Sequence, residues 1–376
     1  MKTKKIGKRM ICTVLSLLMA FGTFVSVTFS NLFLSDYVGL HNLMVAEALT
    51  AYPLFYRYGE LVGLYRLNYS DTTTLQYRIG ENGDWTNYSA PFAVPAYQTT
   101  KVYARIGTNG AITYEEFSTT NAAIGVYTES ATDFDFSYNG INFGYTRTYN
   151  SADKNWFESI HSKVVTVGSY LKVYLPDGTE YPLIRTSANT YVDQMTGNTL
   201  TKSSTEYVFD DGEYKYHFAI NLLNSVAYLS GIEDNNGNVL NLARTTNIEE
   251  ASISDGTRTF AVSDYEAVEA TNDPDVNYYS KKTITDPNGN DIEYTTKWGR
   301  YITVTDQAGV TLGSYQYEST ASDYTLKKSN DKAIAYYPNG RLRKITYDSG
   351  AWLQYTYTDS EMKYTTLTSS VETTCT

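Results

Sequence analysis

Residues 334–359, IAYYPNGRLRKITYDSGAWLQYTYTD, constrain the fold more than any other stretch of the chain. Two turn signals, Asn339-Gly340 and Ser349-Gly350, punctuate it. Ile334 and Tyr336 share one parity. Leu353, Tyr355 and Tyr357 also share one, with Gln354, Thr356 and Thr358 on the other. Strict alternation marks a strand with one buried face. Asn-Gly accommodates positive φ at both central residues, as a type I′ hairpin requires. The stretch predicts strand, turn, strand, turn, strand, a β-meander.

Similar turns recur at Asp211-Gly212, Asn236-Gly237, Asp255-Gly256 and Asn288-Gly289. The chain has 37 tyrosines and only 19% charged residues, the composition of Tyr- and Thr-faced sheets and not of helices. Its 376 residues suffice for two or three domains. A net charge of −11 repels phosphate backbones and argues against nucleic acid as a partner.

The first ten residues carry Lys2, Lys4, Lys5, Lys8 and Arg9, and an apolar run follows over 11–34. That is the design of a signal peptide, with Ala46 and Ala48 offering a cleavage site that closes a leader at 1–48. The alternative is an uncleaved anchor, since the run is long enough to span a bilayer. Either way the remainder is exported, and membrane contact is expected only through that leader. Cys12 lies in the leader, which leaves Cys375 without an internal disulfide partner. An exported chain without disulfides points to a bacterial surface.

Residues 49–121 read as a small β-sandwich, with strands expected at 63–69, 74–79, 100–106 and 111–117. Leu75-Gln-Tyr-Arg-Ile-Gly-Glu-Asn-Gly-Asp-Trp-Thr-Asn-Tyr88, followed by Thr100-Lys-Val-Tyr-Ala-Arg105, resembles the immunoglobulin-like modules appended to bacterial surface proteins. Trp85 and Tyr88 read first as packing residues, with sugar stacking as the alternative.

Residues 122–190 form an opening segment. Phe134, Phe136 and Tyr138 alternate, Asn139-Gly140 turns the chain, and Ile141, Phe143 and Tyr145 alternate again, which predicts a hairpin. A second strand pair, 170–175 and 179–184, turns at Pro176-Asp177-Gly178. Arg147-Thr-Tyr-Asn-Ser151 resembles the sequence that ends such a hairpin in Rhs and wall-associated YD-repeat proteins. The repeat region spans 191–360. There Ile232-Glu-Asp-Asn-Asn-Gly-Asn238 parallels Ile284-Thr-Asp-Pro-Asn-Gly-Asn290, and Ile302-Thr-Val-Thr-Asp-Gln-Ala-Gly309 is a partial copy. Tyr337-Pro-Asn-Gly-Arg-Leu342 and Ile345-Thr-Tyr-Asp348 resemble one YD unit. Residues 249–275, rich in Asp and Glu, read as an irregular solvated excursion. A polar tail covers 361–376.

Candidate chemistry is sparse. Asp234-Asn-Asn-Gly-Asn238 and Asp286-Pro-Asn-Gly-Asn290 cluster oxygen ligands, but lack the spacing of a calcium loop, and Asx turns account for them. The histidines are His41, His161 and His217, the last read as packed within a sheet among aromatic neighbours. No catalytic, cofactor-binding or metal-binding residue is nominated, no cofactor is expected, and an enzyme is not expected.

The expected fold is all-β: an immunoglobulin-like sandwich, then a YD-repeat sheet forming a partial, unclosed shell. The resemblance implies a secreted or cell-surface bacterial protein that binds cell-wall carbohydrate or another surface protein. The alternative is the N-terminal scaffold of an Rhs-type toxin-delivery protein, since the closing aspartyl motif and toxin domain are not found here. A glycan-active enzyme is a third reading with no residue to carry it.

Overall fold

The computed structural model describes residues 52–59, 61–95, 99–118, 125–138, 140–220, 226–244, 251–254, 257–270, 277–318, 324–357, 362–368 and 371–375. For 118, 136, 138, 362–368 and 371–375 it describes the backbone alone. The expected leader, with Cys12 and His41, lies outside these residues, as does the Cys375 side chain. Residues Leu49–Thr376 form one compact unit.

The described chain is all-β. A hairpin of β1 (Leu54–Tyr58) and β2 (Leu61–Tyr65) precedes a four-stranded sheet of β3 (Leu75–Ile79), β4 (Thr86–Asn87), β5 (Thr99–Ile106) and β6 (Thr113–Ser118), ordered β4-β3-β5-β6. Three of the four expected strands fall within two residues of their predicted bounds, and β2 overlaps the fourth. Val62 and Leu64 face the sheet and join Val102, Ala104 and Phe117 in small apolar cores. The other face of the hairpin carries Tyr56 and Tyr65, which pack on Ile184 and Tyr170.

Gly63 lies opposite Tyr56 across the hairpin, and a Cβ there would overlap the Tyr56 ring. That ring is buried, and its hydroxyl donates to Gln194 Oε1 at 2.8 Å, so it has nowhere to swing. Gly63→Ala is expected to cost roughly 1–3 kcal/mol by overpacking. In a Tyr56→Ala background the same change should cost little. Urea unfolding of the four proteins of this cycle measures the difference.

A three-stranded sheet follows, of β7 (Thr128–Tyr138), β8 (Ile141–Asn150) and β9 (Asn155–Glu158). The predicted hairpin is its first pair, with Tyr138 opposite Ile141. A single 3-10 turn, Ser159–His161, leads on.

The remainder is one antiparallel meander of 22 described strands. Its first eight are β10 (Lys163–Val167), β11 (Tyr170–Tyr174), β12 (Glu180–Arg185), β13 (Thr190–Asp193), β14 (Thr199–Lys202), β15 (Glu206–Asp210), β16 (Tyr214–Ile220) and β17 (Val226–Asp234). They close into a barrel, because Lys163, Val164 and Val165 of β10 pair with Tyr228, Ala227 and Val226 of β17. The expectation of an unclosed sheet is corrected here. Eight strands give a barrel that its own side chains can fill. Leu171, Val173, Leu183, Leu200, Phe209, Phe218 and Leu229 are buried members of the shared core.

The second half of β17 pairs instead with β18 (Val239–Arg244), through Gly231, Ile232 and Glu233. The meander therefore runs on past the seam. It continues through β19 (Ala251–Ser254), β20 (Thr259–Val262), β21 (Glu266–Glu269), β22 (Tyr278–Thr285), β23 (Asp291–Lys297), β24 (Arg300–Asp306), β25 (Thr311–Tyr317), β26 (Leu326–Ser329), β27 (Lys332–Tyr336), β28 (Leu342–Tyr347), β29 (Trp352–Tyr357), β30 (Met362–Thr368) and β31 (Val371–Cys375). The predicted meander of 334–359 is β27 to β29, with Ile334, Leu342 and Ile345 buried.

Two further expectations are corrected. The described residues of the acidic stretch 249–275 are largely strand, not loop. Ala251, Ile253, Phe260 and Val262 alternate into the core, and β20 and β21 lie end to end along β22. The period-2 apolar pattern outweighed the acidic residues, and Glu266 and Glu269 point to solvent. Of the acidic residues there, 249, 250, 255, 273 and 275 lie outside the described residues.

The turn at Asn339-Gly340 is also not type I′, since only Gly340 has positive φ, at 83°. Pro338 fixes a negative φ before it. Gly340 N donates to Tyr337 O, and Tyr337 N donates to Arg341 O. This pattern matches a type I turn closed by a left-handed glycine. It recurs from Leu175, Asp234, Asp286, Asp306 and Tyr347, each with glycine three residues on. The same turn thus occurs once within the barrel, between β11 and β12, and repeatedly in the strands beyond it.

Candidate functional site

Alternation along β8 puts Ile141, Phe143, Tyr145, Arg147 and Tyr149 on one buried face. On that face, ordinary strand geometry delivers a guanidinium to the interior. Its counter-ion comes from a bulge. The β7–β8 register slips between Thr132 and Phe134, and the extra residue, Asp133, is turned toward Arg147. Arg147 Nε donates to Asp133 Oδ2 at 2.6 Å and Nη2 to Oδ1 at 2.9 Å, a two-pronged ion pair. Arg147 Nη1 donates to the Tyr315 hydroxyl at 3.2 Å, and the guanidinium lies over the rings of Trp156, Tyr294, Tyr301 and Tyr315.

A second buried pair stands beside the first. Glu158 ends β9, and Lys282 of β22 donates to both its oxygens, at 2.7 and 2.5 Å. The Tyr145 and Tyr301 hydroxyls donate to the same carboxylate. Tyr294 donates to Asp133 Oδ2 at 2.8 Å. Tyr294 lies directly across from Lys282, and consecutive strands β22 to β25 supply Lys282, Tyr294, Tyr301 and Tyr315. Two cations and two anions are thereby enclosed between the three-stranded sheet and the strands beyond the barrel.

Burial alone would raise the Glu158 carboxyl. The Lys282 ammonium and His161, with hydrogen bonds from Lys282 and Tyr145, overcome it and hold the group at about 2. Burial, reinforced by these carboxylates, pushes the phenols of Tyr145, Tyr294 and Tyr301 well above their ordinary value. Burial also works against the charge of Arg147, but the hydrogen-bonded Asp133 carboxylate prevails and raises it. A carboxylate this acidic and phenols this weakly acidic exchange no proton near neutral pH, so the cluster is not poised for acid–base chemistry. Its chemistry is that of a lock between two sheets.

The Arg147–Ser151 motif is accounted for by the same place in the fold. The Tyr149 hydroxyl donates to Tyr324 O and accepts from Leu326 N. Ser151 Oγ accepts from Tyr127 N. Trp156 Nε1 donates to the Tyr317 hydroxyl, and Lys332 Nζ to both oxygens of Glu129. Reading the sequence missed the burial of Arg147 and Lys282. The signal was present, since Arg147 shares parity with Phe143 and Tyr145, and Lys282 with Ile284.

The other residues singled out in sequence are dispersed. His217 is corrected: its ring lies half-buried between Glu206 and Glu233, with Nδ1 and Nε2 at 3.2 and 3.3 Å from carboxylate oxygens. It shares the outward parity of Lys215, which itself reaches Glu233. Asp234 Oδ1 accepts from the N–H groups of Asn236 and Asn238, and Asp286 Oδ1 from those of Asn288 and Asn290. The side-chain hydrogen bond from Asn238 leads in lowering Asp234. At Asp286 burial opposes, and the bonds from Asn290 and Asn288 prevail. Among the described residues no group of three His, Cys, Asp or Glu is placed to hold a metal. Tyr88 packs inward, its hydroxyl donating to Gln194 Oε1, whereas Trp85 lies under Arg78 and Arg105. No family model matches the chain, and no match to a curated protein was found.

Proposed function

We propose that the protein is a secreted or cell-surface bacterial protein of the YD-repeat type, with an immunoglobulin-like module in front, acting as a binding scaffold for cell-wall carbohydrate or a surface protein. One observation carries the reading: a single turn design repeated along an antiparallel strip that winds once around and continues. Strips of this kind stack repeat upon repeat and present broad sheet faces. The charges of Asp133, Arg147, Glu158 and Lys282 are saturated by their own neighbours, so the reading places the working surface on the outer faces. The leader and the resemblance of Arg147–Ser151 and 337–348 support export and family.

The test is co-sedimentation of the purified exported chain with insoluble bacterial wall sacculi, alongside a glycan array. Saturable binding to either is expected. A chain that stays in the supernatant and marks no glycan overturns the carbohydrate role. If it then co-purifies with the product of an adjoining reading frame, the toxin-scaffold alternative takes its place.

A further inference from the structure

The outer face of the four-stranded sheet carries an arrangement that the fold does not need. Leu75, Tyr77, Val102, Ala104 and Phe117 point inward to the module's own cores. Strand alternation therefore sends Arg78, Lys101, Tyr103, Arg105 and Tyr114 outward. Arg78 lies directly across from Tyr103, and Tyr103 directly across from Tyr114, so one row crosses three strands. Trp85 completes it: the Arg105 guanidinium sits 4.0 Å from its ring centroid and that of Arg78 5.1 Å. Arg78 also lies 4.8 Å from the Tyr103 ring, and Lys101 Nζ 5.2 Å from that of Tyr114. Tyr114 is 50% exposed.

Charge is the unusual feature. In a chain of net charge −11, this face gathers three cations, with the Glu81 carboxylate beside them accepting from the Tyr103 hydroxyl at 3.3 Å. Lys101 has Glu116 at 3.8 Å. Among the described residues, Arg78 and Arg105 have no carboxylate partner. Arg105 donates Nε to Gln76 Oε1, and Arg78 Nε is buried with no hydrogen-bond partner. A guanidinium over an aromatic ring can still offer its terminal Nη–H groups at the ring's edge, and such groups match planar oxyanions.

We propose that this face binds an anionic polysaccharide, its carboxylate or phosphate groups meeting the edges of Arg78 and Arg105 and its sugar rings lying on Tyr114. The assignment rests on the binding-scaffold reading above and gives that role a surface and a ligand class. Single-stranded nucleic acid is disfavoured. Stacked bases need open ring faces, and guanidiniums already cover Trp85 and Tyr103.

The test is affinity electrophoresis of the full chain through gels containing polygalacturonate, poly(glycerol phosphate), neutral dextran or poly(U). Retardation by one or both anionic glycans is expected, and by neither dextran nor poly(U). The glycan that retards identifies the anion. Arg78→Gln/Arg105→Gln should weaken it by about tenfold or more. Arg78→Lys/Arg105→Lys keeps the charge but loses the planar fork, and should restore only part of it. Unchanged urea midpoints for both variants separate lost binding from lost folding. Undiminished retardation of the Gln variant overturns this surface and leaves the scaffold reading standing. Retardation by dextran alone overturns the anionic class but not the carbohydrate role. Equal retardation by poly(U), lost in the same variant, makes the ligand a nucleic acid. No retardation by any glycan, with no binding to wall sacculi, overturns both proposals.

Discussion

Replacing Lys282 with methionine is expected to destabilise the protein by about 3–5 kcal/mol, because it strands a buried carboxylate. Glu158 has 6% of its side chain exposed and Lys282 none, so solvent has little access to compensate. Removing the carboxylate too, in Lys282→Met/Glu158→Leu, should recover only part of the loss. The Tyr145 and Tyr301 hydroxyls would then be buried without their acceptor, at about 1–3 kcal/mol each. Adding Tyr145→Phe and Tyr301→Phe should recover most of the remainder. Urea unfolding across the series reads these steps, and full recovery in the double variant would show that the phenols are not held by Glu158.

The same pair sets an acid limit. Folded Glu158 titrates at about 2, below its ordinary 4.5, so the unfolded chain takes up its proton first as pH falls. The contribution is complete above about pH 4.5 and is lost progressively toward pH 2, about 3 kcal/mol in all. In Lys282→Met the carboxylate has lost its partner and acid relieves the penalty. The stability gap between wild type and variant should therefore narrow from pH 7 to pH 3. A gap that widens would place the dominant charge elsewhere.

Local structure was largely legible in the sequence, because its cause is local. Glycine three residues after Asp234, Asp286, Asp306 or Tyr337 marks each turn, and the parity of Ile334 or Phe143 marks the buried face. Even the acidic stretch carried its answer in Ala251, Ile253, Phe260 and Val262. The error there came from weighting charge over period, and the burial of Lys282, which stands in a lysine doublet yet shares the parity of Ile284, was missed for the same reason. Barrel closure was not legible. It depends on Lys163–Val165 meeting Val226–Tyr228, some sixty residues on, through backbone groups that every residue has. The Asp133 bulge was equally hidden, since a register slip shows only once two strands are paired. The Arg78–Trp85–Arg105 stack needed the register of β3 with β5, and sequence alone offered Trp85 only as packing or a sugar platform.

Arg147→Lys is the second substitution expected to have a large effect. It keeps the charge and removes the geometry. The guanidinium spans both oxygens of Asp133, reaches the Tyr315 hydroxyl and lies among four aromatic rings. An ammonium on a flexible stem meets one oxygen at a time and forms no flat stack. A loss of about 3 kcal/mol is expected, and more for Arg147→Met, which leaves Asp133 buried and unpaired. The effect should also be uneven. Arg147 joins the three-stranded sheet to β23, β24 and β25, whereas β11 to β14 share no polar contact with it. Hydrogen exchange should therefore quicken first in Tyr294–Lys297, Tyr301–Val304 and Ser314–Tyr317, while Leu171–Tyr174 and Leu183–Arg185 keep their protection. Uniform acceleration across both regions would mean that barrel and outer strands open as one cooperative unit. Selective acceleration would mean that the buried charge cluster fastens the continuing strip to the three-stranded sheet, while the barrel holds without it.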